Sequence, residues 1–183
     1  MRIAAKAILG VDITEIYSPE RVVKVANAMG FRGGLSFDLT NGWNFNVEED
    51  CEEAWQYITT KKPRLVIGSP MCTMFSALQN MRKKNPAGDA RYEYNLKNAM
   101  EHIRSCVKIY QHQDENDRYY LHEHPATATS SQMPEMEALR ASPNALETVS
   151  HLCAYGLNTT VEGRKLLAKK PTRFLTNSPL ISI

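Results

Sequence analysis

Cys72 stands in a stretch whose residue types could carry out covalent chemistry. The branched apolar run Leu65–Ile67 predicts a short buried strand, which Gly68, Ser69 and Pro70 end. Loops at the carboxyl ends of parallel strands form ligand sites, so a thiol two residues beyond this proline could act as a nucleophile. The alternative is a buried, inert cysteine, which is the commoner role of this residue type.

A second group of reactive side chains surrounds Glu123. A carboxyl group at the end of a strand could share a proton with a substrate, or it could be an ordinary surface acid. His122 and His124 flank it and would share the opposite face of that strand. Together with His151 and Cys153 they could form a zinc-type site, although no spacing motif supports one. The alternative is that both histidines pack or hydrogen-bond structurally.

The elements that must position these residues alternate between strands and helices. Strands are predicted at 7–13, 35–39, 65–67, 118–125, 149–155 and 173–176. Helices are predicted at 19–29, with Ser18 as N-cap, and at 47–60, 92–110 and 135–140, with an exposed loop at 79–88. This alternation predicts βαβ units. We therefore expect one α/β domain over 1–183, with a Rossmann-like, mostly parallel sheet and helices on both faces.

Composition limits the classes of function. The chain has 183 residues, 43% of them hydrophobic and 23% charged, with a formal net charge of only +2. This charge gives no strong electrostatic case for nucleic acid, although basic clusters such as 82–84 could meet phosphates. Four cysteines without a CxxC pair indicate a reducing compartment. No membrane span or signal peptide is visible, so we expect a soluble protein of the cytoplasm or nucleus.

Three segments occur in an order that resembles the catalytic domain of the cytosine carbon-5 DNA methyltransferases: Asp38, Gly68–Ser76 and His122–Pro125. The nucleophile loop of that family reads Gly-Ser-Pro-Pro-Cys-Gln-x-Phe-Ser. Its matches in this chain are Gly68, Ser69, Pro70, Cys72, Phe75 and Ser76. Met71 and Thr73 depart from the pattern. Glu123-His124-Pro125 stands where the family has Glu-Asn-Val.

The resemblance implies a Rossmann-like enzyme that uses S-adenosylmethionine to methylate cytosine in DNA. Cys72 would add to carbon 6 of the base, and Glu123 would share a proton at the N3 edge. The cofactor would contact Tyr17, Ser18, Pro19, Asp38, Ser69 and Pro70, with Asp38 holding the ribose unless it only caps a helix. The substrate would contact Ser76, Gln79, Arg82 and His124. Trp43 could stack on a base or pack in the core.

Two departures from the family keep other functions open. The family's Phe-x-Gly-x-Gly loop is replaced by Ile16–Glu20, and only 158–170 stands where a target-recognition domain would be. A methyltransferase of this kind would take its specificity from loops, a separate subunit or self-association into a homo-oligomer. The alternatives are an inactive module that binds or regulates, and a thiol enzyme acting on free pyrimidine nucleotides.

Overall fold

The computed structural model describes residues 10–76, 79 and 86–181. Its strands are β1 (Ile13–Ile16), β2 (Gly33–Phe37), β3 (Leu65–Gly68), β4 (Tyr119–Pro125), β5 (Leu146–His151), β6 (Asn158–Val161), β7 (Arg164–Leu167) and β8 (Pro171–Thr176). Its α-helices are α1 (Val22–Ala28), α2 (Glu48–Lys61), α3 (Pro86–Asp114) and α4 (Pro134–Arg140). None of the described helices is both long and apolar enough to cross a membrane.

Six of the strands form one sheet in the order β2-β1-β3-β4-β8-β5. The first four are parallel, whereas β8 runs antiparallel to both β4 and β5. The predicted α/β fold with a mostly parallel sheet is therefore confirmed. The chain moves outward from β1 to β2 and then crosses to β3 on the other side. This change of direction opens a crevice at the carboxyl ends of β1 and β3, where ligands bind in open α/β sheets.

Helices cover both faces of the sheet, as expected. Helix α1 lies against β1 and β2. The side chain of Glu15 in β1 accepts hydrogen bonds from the backbone N–H groups of Arg21 and Val23 at the start of this helix. Helix α3 packs on the other face, where Tyr110 contacts Gly68 and hydrogen-bonds His122. The core on this second face includes Tyr110 and Tyr120, which are fully buried and stacked with centroids 5.0 Å apart. This packing fixes β3 and β4, the two strands that lead to Cys72 and Glu123.

In the first βαβ unit, the predicted bounds of the strand and the predicted start of the helix were wrong. Within the described residues the first strand is Ile13–Ile16, later than the predicted 7–13, of which residues 7–9 lie outside the description. The first helix is Val22–Ala28 and does not begin at Pro19. Ser18 does not cap it, because Tyr17 turns the chain with φ of 56° and Glu15 supplies the capping oxygen. The helix is therefore capped by the carboxylate of Glu15 in the preceding strand and not by the adjacent Ser18.

Several other boundaries also move. β2 covers 33–37 and not 35–39, and β5 covers 146–151 and not 149–155. Helix α3 runs from Pro86 to Asp114, longer than predicted at both ends, so residues 86–88 of the predicted exposed loop at 79–88 are helical. Gln79 is buried rather than exposed, and residues 80–85 lie outside the description. The hairpin of β6 and β7 was not predicted. All eight of its residues are exposed, so neither strand has a face that packs on the core. The sequence consequently shows no alternation of apolar and polar residues, the pattern that marks a half-buried strand.

Candidate functional site

The loop that carries Cys72 leaves β3 at a point of close backbone approach. A side chain at Gly68 would overlap the hydroxyl group of Tyr110, so only glycine fits there. Ser69 then donates its backbone N–H to the carbonyl of Ile16 at 3.2 Å, which ties the loop to the end of β1. A single 3-10 turn, Thr73–Phe75, follows Cys72. The thiol is partly exposed at the carboxyl edge of the sheet.

Cys72 and Glu123 line the same open cavity, which measures about 320 Å³. Residues after β1 and the loop after β3 form its other walls, among them Ser18, Pro19 and Pro70. The Oε1 atom of Glu123 is buried and, among the described residues, no donor reaches it at hydrogen-bond distance. A thiol and a carboxylate with free accepting capacity therefore face one space that a small planar molecule could enter.

Lys170 supplies the one cation that touches this carboxylate within the described part of the chain. Its Nζ lies 3.6 Å from Oε1 of Glu123, and it also lines the cavity. The side chain of Lys170 is 46% exposed and that of Glu123 is 25% exposed, so solvent screens the pair. The ammonium group can leave the carboxylate without large cost when a ligand arrives.

His124 lies beneath the Cys72 loop. Its Nδ1 is 2.7 Å from Oγ of Ser130, and its ring packs at 5.9 Å from that of Phe75. Burial lowers its pKa to about 4, and the carbonyls of Pro70 and Met71 oppose this shift. No described acceptor meets its Nε2 at hydrogen-bond geometry. The neutral ring therefore supports the loop from below while one edge lines the cavity.

His122 lies on the same strand face as His124, opposite Glu123, as predicted. Its Nδ1 is 3.2 Å from the hydroxyl of Tyr110, and the residue is only 1% exposed. Burial, and then the neighbouring His124, lower its pKa to about 3. In the part of the chain that the structure describes, no three His, Cys, Asp or Glu residues are placed to hold a metal ion. Both histidines have hydrogen-bonded, structural positions.

A second cavity of about 220 Å³, which we call the aromatic cavity, lies at the crevice between β1 and β3. Asp38, at the end of β2, faces it together with the rings of Trp43 and Phe45. Oδ1 of Asp38 accepts hydrogen bonds from the backbone N–H and the hydroxyl of Thr40, at 2.9 and 2.7 Å. The predicted capping role of Asp38 is therefore present. This role occupies one carboxylate oxygen and leaves the other to the cavity.

Tyr17 joins the two cavities. It lines both of them, as do Ser69 and Met71. Its ring stacks on Phe45 with centroids 4.2 Å apart, and its hydroxyl is 3.1 Å from Nδ1 of His102. Burial raises the pKa of the Tyr17 hydroxyl, which therefore stays protonated. A ligand in the aromatic cavity and a second ligand beside Cys72 would be separated only by these shared side chains.

Glu15 determines what the start of α1 can bind. Its carboxylate accepts hydrogen bonds from the backbone N–H groups of Arg21 and Val23 and from the hydroxyls of Ser18 and Ser36. The residue is 1% exposed. A dinucleotide pyrophosphate normally occupies such a helix start. Here the protein's own carboxylate takes that place, so the site favours a ligand without a pyrophosphate.

The remaining predicted substrate residues lie on the other side of Cys72. Ser76 and Gln79 line a third cavity of about 300 Å³, which Cys72 also borders. Gln79 is 8% exposed, and its Nε2 donates to the carbonyl of Thr73 at 3.1 Å. Arg82 lies outside the described residues. Cys72 is therefore reached from two cavities, one with an acid and one with amide and hydroxyl groups.

Sequence reasoning missed Lys170, His102 and Glu15 as parts of this region. Lys170 carries no local signal, because its contact with Glu123 depends on β8 lying next to β4. The signal for Glu15 was present, because an acid in an apolar strand requires donors when it is buried. No local pattern marks His102, which reaches the hydroxyl of Tyr17 from α3.

The fold and the cavities define a class of protein: a mixed α/β protein with a Rossmann-like sheet and a ligand-sized crevice, partly aromatic and partly polar, at its carboxyl edge. Comparison with models of known protein families gives no match, and comparison with curated proteins gives none either.

Proposed function

We propose that the protein transfers a methyl group from S-adenosylmethionine to carbon 5 of cytosine in DNA. The observation that carries the proposal is the placement of Cys72 and Glu123 on one cavity that shares walls with the cavity of Asp38. A methyl donor and a methyl acceptor need such adjacency. The match of the Gly68–Ser76 loop to the cytosine methyltransferase pattern supports the same chemistry.

The aromatic cavity fits the adenosine part of this cofactor. Asp38 lies 21 positions after Tyr17, close to the spacing at which an acid holds the ribose hydroxyls in Rossmann-like folds. Trp43 and Phe45 offer faces on which a purine could stack. Glu15 excludes a pyrophosphate but leaves the rest of the crevice open to a sulfonium cofactor. When bound there, the cofactor would supply an electrophilic methyl group.

The chain's own residues would prepare the base for that methyl group. The thiolate of Cys72 adds to carbon 6, the electron pair moves toward N3, and Glu123 stabilises N3 by hydrogen bonding or proton transfer. Carbon 5 becomes nucleophilic and, with the cofactor bound, would take its methyl group and leave S-adenosylhomocysteine. Water in the open cavity would then accept the carbon-5 proton. The electron pair of that C–H bond would restore the carbon 5–carbon 6 double bond as the carbon–sulfur bond breaks and returns the thiolate. In this proposal Lys170 must release Glu123 when the base enters, and the exposed 3.6 Å pair allows that movement.

Trapping on DNA that contains 5-fluorocytosine tests the covalent step. Fluorine cannot leave as a proton does, so an adduct with the protein accumulates when S-adenosylmethionine is present. We expect the parent and Cys153→Ser, which changes a half-buried cysteine outside these cavities, to form the adduct. Cys72→Ser should form none, and Glu123→Gln should slow trapping by about 10²–10⁴-fold. An adduct with Cys72→Ser equal to that of the parent would refute the nucleophile assignment.

Titration calorimetry with S-adenosylmethionine tests the cofactor site. Asp38→Asn keeps an oxygen that can accept from Thr40, so it removes the charge while retaining the cap. We expect a loss of roughly tenfold in affinity, the size of one charged hydrogen bond. Absence of cofactor binding by the parent would refute the proposal. Binding without trapping would indicate an inactive binding module, and trapping only by free 5-fluorodeoxycytidine monophosphate would indicate a nucleotide enzyme.

A further inference from the structure

The hairpin β6–β7 is exposed throughout, as are Lys169 and Lys170 after it. We call residues 158–170 the basic ribbon. We propose that the basic ribbon is the surface that binds the backbone and major groove of duplex DNA next to the cavity of Cys72 and Glu123. This inference rests on the proposed function, since that function names DNA as the substrate.

The ribbon is separate from the main sheet. Among the described strands, β6 and β7 pair only with each other, in the register Asn158–Leu167 to Val161–Arg164, and form a second sheet of two strands. Every residue of both strands is exposed. Leu167 is 70% exposed, which leaves an apolar side chain without a partner in the described residues. An isolated two-stranded hairpin is marginally stable in water, so a bound partner would stabilise it.

The ribbon projects from the same edge of the sheet as the candidate site. It connects the end of β5 to the start of β8: Thr172 in β8 pairs with Pro125 at the carboxyl end of β4, and His151 at the end of β5 pairs with Pro171. Two backbone hydrogen bonds fix its base, from Leu152 N–H to the Lys170 carbonyl and from Ala168 N–H to the Leu157 carbonyl. Lys170, the last residue of the ribbon, reaches Glu123 in the cavity. A ligand held by the ribbon would therefore extend over the cavity.

The charge of the ribbon matches a polyanion. Residues 158–170 contain Arg164, Lys165, Lys169 and Lys170 against a single acid, Glu162. Within the described residues, no carboxylate pairs with Arg164, Lys165 or Lys169, whereas four of the eight other described arginines each pair with at least one. The whole chain carries a net charge of only +2, so this excess is local. Unpaired cations on an exposed surface are available for phosphate groups.

The shape of the ribbon favours duplex DNA over other polyanions. The major groove of B-DNA admits a two-stranded β-ribbon, and strands in this groove are a known mode of recognition. The turn at Glu162 and Gly163 has φ of 50° and 76°, the conformation of a tight hairpin turn that follows the natural strand twist. Val161 and Arg164 lie opposite each other, so that one face presents both apolar and cationic groups. The deep, narrow major groove of duplex RNA would not admit this ribbon.

Fluorescence anisotropy measures this binding. The probe is a fluorescently labelled DNA duplex of about 20 base pairs that contains ordinary cytosine, and no cofactor is added. The variant is Arg164→Gln with Lys165→Gln. The control is Lys61→Gln with Lys97→Gln, which removes the same charge from α2 and α3. Each lost phosphate contact lowers the slope of log affinity against log salt by about 0.9, so we expect the variant's slope to fall by about 2. The control should keep the slope of the parent.

A second variant separates loss of contact from loss of folding. Residues 158–167 are replaced by Gly-Gly between Leu157 and Ala168, whose backbone groups already lie 2.9 Å apart. We expect this variant to show no more change in duplex anisotropy than the assay background. Its circular dichroism spectrum should still show the main sheet and the helices. An RNA duplex of the same length should compete more weakly than the DNA duplex.

The inference would be overturned by no duplex binding by the parent at low salt, by an unchanged salt slope in the double variant, or by an equal loss of slope in the control. Self-association of the parent that is lost in the ribbon variants, with duplex binding unchanged, would identify a second copy of the chain as the partner and also refute it. Failure of the proposed function has a different signature. It would appear as absent trapping or absent cofactor binding, neither of which enters these measurements.

Discussion

Two buried histidines should make the stability of this protein depend strongly on pH. The pKa of His122 is lowered to about 3 and that of His124 to about 4, chiefly because burial disfavours the charged ring. In the unfolded chain both titrate near 6.5. Between these values the unfolded state binds more protons than the folded state, so stability rises with pH. It is complete above about pH 6.5 and is lost as the pH falls toward 4 and below.

The size of this effect follows from the two shifts. Each pH unit below the unfolded value costs about 1.4 kcal/mol per histidine while the folded protein resists protonation. At about pH 4.5 each histidine should therefore remove somewhat more than 2 kcal/mol, and the pair roughly 5 kcal/mol. A domain of ordinary stability has about 5–15 kcal/mol in total. Mild acid should consequently unfold much of the population if this protein lies at the lower end of that range.

Urea unfolding, followed by circular dichroism at about pH 7 and about pH 4.5, measures the difference. His122→Gln removes the titrating ring and retains a side chain that can hydrogen-bond Tyr110. We expect its stability to fall by roughly half as much as that of the parent between the two pH values. His151→Gln, at an exposed position on β5, should behave as the parent does. A His122→Gln variant whose stability falls as steeply as the parent's would refute the reasoning.

Two further predictions concern the residues that fix the candidate site. Gly68→Ala places a methyl group on the hydroxyl of Tyr110 and should cost about 1–3 kcal/mol in urea unfolding; adding Tyr110→Phe should recover part of this loss, and additive losses would contradict the steric explanation. Glu15→Gln weakens the charged cap on Val23 N–H and should lower the free energy of unfolding by about 1–3 kcal/mol. A thermal melt equal to that of the parent would show that the charge contributes nothing.

Prediction from sequence succeeded where the signal was local. The strand before Cys72 was placed correctly because an apolar run followed by Gly68, Ser69 and Pro70 has few other conformations. The alternation of strands with amphipathic helices likewise determined the α/β class. Helix α3 was recognised from its spacing of apolar residues, although both of its ends were placed too far inward.

Prediction failed where a distant partner replaced a local signal. Ser18 has the residue type of an N-cap, yet the carboxylate of Glu15 takes the donors of Arg21 and Val23. The basic ribbon gives no apolar periodicity, since neither of its faces packs on the core. Its Glu162-Gly163 turn between short runs of strand-forming residues was the signal that could have identified it.

The amino-acid sequence alone determined which side chains were available and which short segments would present them. It established a thiol after a buried strand, an acid on a later strand and a mostly parallel architecture. Only the tertiary structure decided that Cys72 and Glu123 face one cavity, that Tyr17 joins it to the cavity of Asp38, and that Lys170 reaches the acid. The physical reason is strand order: β8 is last along the chain, but hydrogen bonding places it between β4 and β5. Pairing between distant segments is set by the packing of the whole sheet, and no local pattern of residues encodes it.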